Sequence, residues 1–158
     1  MTSFTLKING KTHGPTDIRD DLSMNDYLRE YLGMTGTKFG CGAAQCLACA
    51  VIIDAPDGTS RTSPTCVVPA MAFNGQSIRT VEGHARDGEP SELQKAFVTH
   101  FSFQCGYCTA GMVMSLTFLH GQPDKTDAAD AAHQMCGNLC RCTGYGGLRR
   151  TLARLFEN

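Results

Sequence analysis

Apolar and polar side chains alternate from Phe4 through Thr5, Leu6, Lys7 and Ile8, the two-residue period of a strand with one buried face. Asn9-Gly10 follows, the pair best suited to a tight hairpin turn, so two strands open the chain. Ser23 is a candidate N-cap for a helix whose face carries Met24, Tyr27, Leu28, Tyr31 and Leu32, with Gly33 as its end. Ala50 to Ile53 is an unbroken apolar run, the pattern of a buried strand. Pro56-Asp57-Gly58 supplies a turn, Thr59 onward returns toward Cys66, and Ser77 to Val81 reads as a last strand. Residues 1–82 therefore predict a small α+β sheet with one helix across it.

Gly83 to Pro90 is a polar connector, and beyond it the period becomes helical. Ser91-Glu-Leu-Gln94 has the form of a capping box ahead of the stripe Leu93, Ala96, Phe97, His100 and Phe101. A second helix is expected over 109–120 with Met112, Val113, Leu116 and Leu119 inward. A third runs over 127–135 behind the candidate N-cap Thr126, and a fourth carries Leu148, Leu152, Leu155 and Phe156, entered through Gly144 to Gly147. The domain expectation is thus 1–82, a linker at 83–90, and a helical unit at 91–158.

Charge narrows the function. Fourteen basic and fifteen acidic residues give a net charge of -1, and no Lys/Arg run marks a nucleic-acid footprint. Charged residues are 18% of the chain, below the ~25% of an average domain, as expected if a partner covers part of the surface. The start lacks the form of a signal peptide, and no apolar stretch approaches the ~20 residues of a membrane helix. The expectation is synthesis and assembly in the cytoplasm with no direct membrane insertion. In a reducing compartment nine cysteines argue for metal rather than disulfides.

The cysteines fall into two sets. Cys41, Cys46 and Cys49 are spaced C-x4-C-x2-C and Cys66 stands apart, the arrangement of plant-type [2Fe-2S] proteins. Glycines at 33, 36, 40 and 42 let the loop wrap an inorganic core and aim N–H groups at its sulfurs. Structural zinc more often takes two short knuckles. Cys105, Cys108, Cys140 and Cys142 form C-x2-C, a 31-residue spacer and C-x-C, a set that on spacing alone could also hold zinc. Each of its pairs is expected just ahead of a helix, where free N–H groups stabilise negative charge. Cys136 is expected to be a buried thiol. Met112 and Met114 read as core filler and His100 as a packed or interfacial side chain. No residue is marked as a general base, nucleophile or open metal site for substrate chemistry.

Three longer stretches carry a family resemblance: Thr35-Gly-Thr-Lys-Phe-Gly-Cys41, Phe103-Gln-Cys-Gly-Tyr-Cys-Thr109 with Gly111-Met112, and Gly137-Asn-Leu-Cys-Arg-Cys-Thr-Gly-Tyr145. The chain resembles the iron–sulfur small subunit of molybdenum hydroxylases, the xanthine dehydrogenase, aldehyde oxidoreductase and isoquinoline oxidoreductase group. The resemblance implies a β-grasp ferredoxin-like domain followed by an all-α four-helix domain. Each would hold one [2Fe-2S] cluster, the first on Cys41, Cys46, Cys49 and Cys66, the second on Cys105, Cys108, Cys140 and Cys142. It implies a large catalytic subunit holding molybdenum on molybdopterin, as its cytosine dinucleotide, and contacts from Gln104 and Cys142 to that cofactor. Electrons would leave by the helical-domain cluster and then the ferredoxin-like one, the former more buried.

Departures from the usual family pattern are Leu47 and Ala50 in place of Gly and Thr, Ala110 in place of Pro, Gly146-Gly147 after Tyr145, and Cys136 before Gly137. The first loop resembles the branch lacking a flavin subunit, which implies a c-type cytochrome or quinone acceptor, aldehydes or N-heterocycles as substrates, and a periplasmic alternative if a partner carries the complex out. Competing readings are a freestanding two-cluster carrier and a zinc-stabilised interaction module.

Overall fold

The computed structural model describes residues 2–122 and 127–156. Strands β1 (Thr2–Ile8) and β2 (Lys11–Ile18) pair antiparallel, with Ile8 opposite Lys11. Asn9 and Gly10 both take the left-handed backbone (φ 50° and 86°) that a two-residue turn of this twist requires. The sheet is completed by β3 (Ala50–Asp54), β4 (Ser60–Pro64) and β5 (Ser77–Arg79) in the order β2-β1-β5-β3-β4. β1 and β5 are parallel and the other pairs antiparallel, so the sheet is mixed.

Helix α1 (Met24–Asp26) is capped by the Ser23 hydroxyl and widens into a π turn over Tyr27–Tyr31. Met24, Tyr27 and Leu28 lie on Phe4, Leu6, Ile8, Val51, Ile53 and Ile78, with the Phe4 and Tyr27 rings edge to face at 4.9 Å. The expected helical face extended to Tyr31, yet that side chain is exposed. The π turn, closed by the Leu32 N–H on the Tyr27 carbonyl at 3.2 Å, inserts one residue per turn and rotates Tyr31 outward.

Four helices follow among the described residues: α2 (Glu92–Thr99), α3 (Thr109–His120), α4 (Ala128–Gln134) and α5 (Gly146–Phe156). The Ser91 capping box is formed in full, its hydroxyl taking the Gln94 N–H and the Gln94 side chain taking the Ser91 N–H. Thr126 lies outside the described residues; the side chain of Asp127 caps α4 by accepting from the Asp130 N–H. The expected strand over 77–81 ends at Arg79, and Val81–Gly83 forms a 3-10 turn. None of the described helices is long and apolar enough to cross a membrane.

Helix α3 lies at the centre. Met112, Val113, Leu116 and Leu119 face α2, α4 and α5 through Phe97, Ala131, Met135, Leu148 and Leu152. Met114 faces the other way, onto Ala50 and Ile52 of β3. Strand β3 consequently has no wet face: Val51 and Ile53 look toward α1 while Ala50 and Ile52 look toward α3, which explains its continuous apolar run. Full burial of Ile52 and Met114 contributes about 1.5–3 kcal/mol each.

His84, just past the 3-10 turn, is half-buried with Nε2 3.1 Å from the Thr117 hydroxyl. That hydroxyl already donates to the Val113 carbonyl, so the histidine is the donor. Burial, helped by Arg79, holds its pKa below the ordinary 6.5, and the fold therefore favours the neutral ring. Its contribution to stability is complete above pH 6.5 and declines as pH falls below that value. Denaturant titrations between pH 7.5 and 5 are expected to show that decline, with a shallower slope in His84→Gln; equal slopes would remove this assignment.

Candidate metal centres

The loop carrying Cys41, Cys46 and Cys49 is fixed at both ends. Ahead of it, the Arg29 guanidinium donates to the Thr35 and Thr37 carbonyls at 2.9 and 3.0 Å, and the Glu82 carboxylate accepts from the Gly36 N–H at 2.8 Å. Behind it, Cys49 opens directly into β3, and Cys66 follows β4, with the Thr65 N–H bonded to the Cys49 carbonyl. Hairpin pairing of β3 with β4 thus brings the distant fourth thiol back to the first three.

Within the loop the N–H groups of Ala43, Gln45 and Cys46 converge on Cys41 Sγ at 3.3–3.4 Å. These backbone donors, Cys46 first, hold the Cys41 thiol down to about 6, so it is a thiolate at neutral pH. Cys66 is shifted the other way, upward, by burial. Cys49 and, more weakly, Cys41 add to that upward shift, as expected of thiols gathered close together.

The second set is built from two helix entries. Cys108 is the N-cap residue of α3, and Cys140 and Cys142 lie on the turn leading into α5. The sulfurs of Cys105 and Cys142 lie 3.5 Å apart. Burial, then Cys140, pushes Cys108 up to about 12. Burial also opposes ionisation of Cys140, but the Thr143 hydroxyl and the N–H groups of Cys142 and Thr143 outweigh it and bring that thiol to about 7. Thr143 donates to Cys140 Sγ at 3.2 Å, and the Tyr145 hydroxyl accepts from the Cys140 N–H at 2.8 Å. Those contacts give the Cys-Arg-Cys-Thr-Gly-Tyr stretch its physical content.

The donor chemistry suits two diiron cores. All nine cysteines are free thiols. A two-iron core takes four thiolates, the number each set supplies. Among the described residues no three His, Cys, Asp or Glu side chains converge as a site for a single ion. Thr37 Oγ1, Thr109 Oγ1 and both amide atoms of Asn138 are buried with no protein partner, and Thr109 and Asn138 stand within two residues of Cys108 and Cys140. Buried hydroxyl and amide N–H donors ordinarily find acceptors, and sulfur can serve.

The two loops touch. The Leu139 N–H donates to the Cys46 carbonyl at 3.1 Å, and the Tyr107 hydroxyl to the Phe39 carbonyl at 2.5 Å. Cys41 and Cys46 share one cavity of about 250 Å³ with Cys105, Cys108, Cys140 and Cys142. Gly111 permits the contact: a β-carbon there would run into the Leu47 carbonyl and sit 2.8 Å from Ala48 Cα. Leu139, Tyr107 and Gly111 each lie beside a ligand-type cysteine or one helical turn from it, but nothing local in the sequence tells which distant carbonyl each meets.

Several positions depart from expectation or lie at the surface. Cys136 is exposed, because Met135 takes the inward place at the end of α4. Cys105 and Cys142 are exposed, so the second set is not enclosed by this chain alone. Gln104 is exposed beside Cys105, and Arg141 is exposed between Cys140 and Cys142.

Gly111→Ala is expected to destabilise the chain by about 1–3 kcal/mol, the usual range for overpacking, in equilibrium unfolding. The displaced loop should also retain less iron in the first set after desalting.

Two domain families match: "2Fe-2S iron-sulfur cluster binding domain" over residues 6–76 and "[2Fe-2S] binding domain" over residues 80–153. The chain is 44% identical over 147 residues to the nicotinate dehydrogenase small FeS subunit of Eubacterium barkeri, covering 92% of this chain and 90% of that one. It is 41% identical over 144 residues to the nicotine 6-hydroxylase small subunit of Paenarthrobacter nicotinovorans, covering 89% and 81%. The crystal structure of quinoline 2-oxidoreductase from Pseudomonas putida 86 superposes with a TM-score of 0.86 at 34% identity, over 94% of this chain and 88% of that one.

Proposed function

The chain belongs to the iron–sulfur small subunits of the molybdenum hydroxylases, and from that premise we propose that it carries electrons out of the molybdopterin site of a large catalytic subunit through two [2Fe-2S] centres. Cys41, Cys46, Cys49 and Cys66 hold the first centre, within a ferredoxin-like unit over residues 1–82. Cys105, Cys108, Cys140 and Cys142 hold the second, within a four-helix unit over residues 91–158, and residues 83–90 join the two. Gln104 and Cys142 contact the molybdopterin. The external acceptor is a c-type cytochrome or quinone, and the assembled enzyme oxidises an aldehyde or an N-heterocycle.

Each centre, when bound, stores and releases one electron. The rest of the task falls to the chain. The N–H groups on Cys41 Sγ and the Thr143 hydroxyl on Cys140 Sγ stabilise thiolate charge, which bears on potential. The observation that carries the reading is the hydrogen bond from the Leu139 N–H to the Cys46 carbonyl. It leaves only covalent bonds and one hydrogen bond between the Cys46 and Cys140 side chains.

Purified protein is expected to hold four irons and four acid-labile sulfides and to give two distinct paramagnetic signals on reduction. Cys66→Ser should erase one signal and leave the other. Stoichiometric zinc in place of iron would overturn the proposal.

A further inference from the structure

Phe101 is placed at odds with ordinary packing. Its backbone is left-handed at φ 52°, a region bulky L-residues avoid and glycine enters freely. Its ring is 80% exposed. The geometry is enforced from α5. Arg150 donates to the His100 carbonyl at 3.0 Å, and the buried hydroxyls of Ser102 and Thr151 lie 2.7 Å apart. At Gly147 a β-carbon would run into the Phe101 carbonyl and sit 2.7 Å from Ser102 Cα. The fold grips the backbone on both sides of Phe101 and leaves the ring in water. Strain held in place by its surroundings is a ground for seeking a function.

The neighbourhood is suited to a protein partner. Val98 and Phe103 are exposed as well, and the segment from Ala96 to His120 itself carries no Lys, Arg, Asp or Glu, the charges near it including Arg150 from α5 and Lys38 from the first loop. Interface cores are poor in charge and rich in aromatic residues. The same stretch runs on into exposed Gln104 and Cys105, and Cys105 is paired with exposed Cys142.

We propose that Phe101, four residues before Cys105, is the anchor by which this chain seats on its catalytic subunit, the ring entering an apolar pocket of that larger protein. The proposal rests on the subunit reading above. The occupant follows from position: Phe101 stands three residues before exposed Gln104 and four before exposed Cys105, which lies 3.5 Å from Cys142, so the large protein that the reading above seats on Gln104 and Cys142 comes up against this loop, and a second copy of this chain seated there would block it.

The test is a binding titration of the iron-loaded full chain against the catalytic subunit that copurifies with it. Phe101→Ala and Phe101→Gly are each expected to weaken binding by about 30-fold, the size of an interface hot spot. Free Phe101→Gly should melt at or above the parent's temperature, because glycine relieves the left-handed backbone. Parent-like affinity in both variants overturns the proposal. So does a parallel fall in melting temperature and binding in both, which would give the ring a role in the fold. A parent dimer that Phe101→Ala turns into a monomer assigns the ring to a second copy and also overturns it. A parent chain that binds no catalytic subunit is a separate result, and it removes the subunit reading together with this one.

Discussion

The contact between the two cysteine-bearing loops is the constraint on which the rest of the structure depends. It consists of two hydrogen bonds to backbone carbonyls, from the Leu139 N–H and the Tyr107 hydroxyl, and one close backbone approach at Gly111. Each bond has a net worth of about 1 kcal/mol, too little to hold two independent bodies in register. The packing of α3 supplies the rest. With Met114 on β3 and Met112 and Leu116 among the other helices, α3 fixes Cys108 relative to the strand that starts at Cys49. The weak polar contacts then set the last ångström.

Sulfur chemistry and fold support one another on this frame. A thiolate needs donors, and the chain supplies them from backbone: three N–H groups for Cys41, N–H groups and the Thr143 hydroxyl for Cys140. Backbone donors cannot swing away as long side chains do, and their orientation is set before any metal arrives. Cys41, Cys105 and Cys142 are exposed, while Cys49 and Cys66 are buried on the inner side.

Much of this was legible in the residues because the governing rules are local. Asn9-Gly10 specifies its turn, Ser91 and Gln94 specify their cap, and the cysteine spacings specify which thiols one loop can present. What could not be seen is whatever depends on a partner surface. Tyr31 fits a helical stripe until a π turn rotates it outward. Cys136 and Met135 are equal candidates for the interior until α4 meets α5 and only one of them faces it. Met114 reads as filler in either case, and only the assembled sheet shows that it serves a different core from Met112.

The double burial of α3 also bears on cooperativity. A genetic cut through the polar connector would leave the β-sheet with Ala50 and Ile52 bare on one side and the helices with Met114 bare on the other. Each fragment would then expose apolar surface that the intact chain keeps dry. The two halves are thus coupled in stability, each completing the other's core, and the chain is expected to melt in one cooperative step.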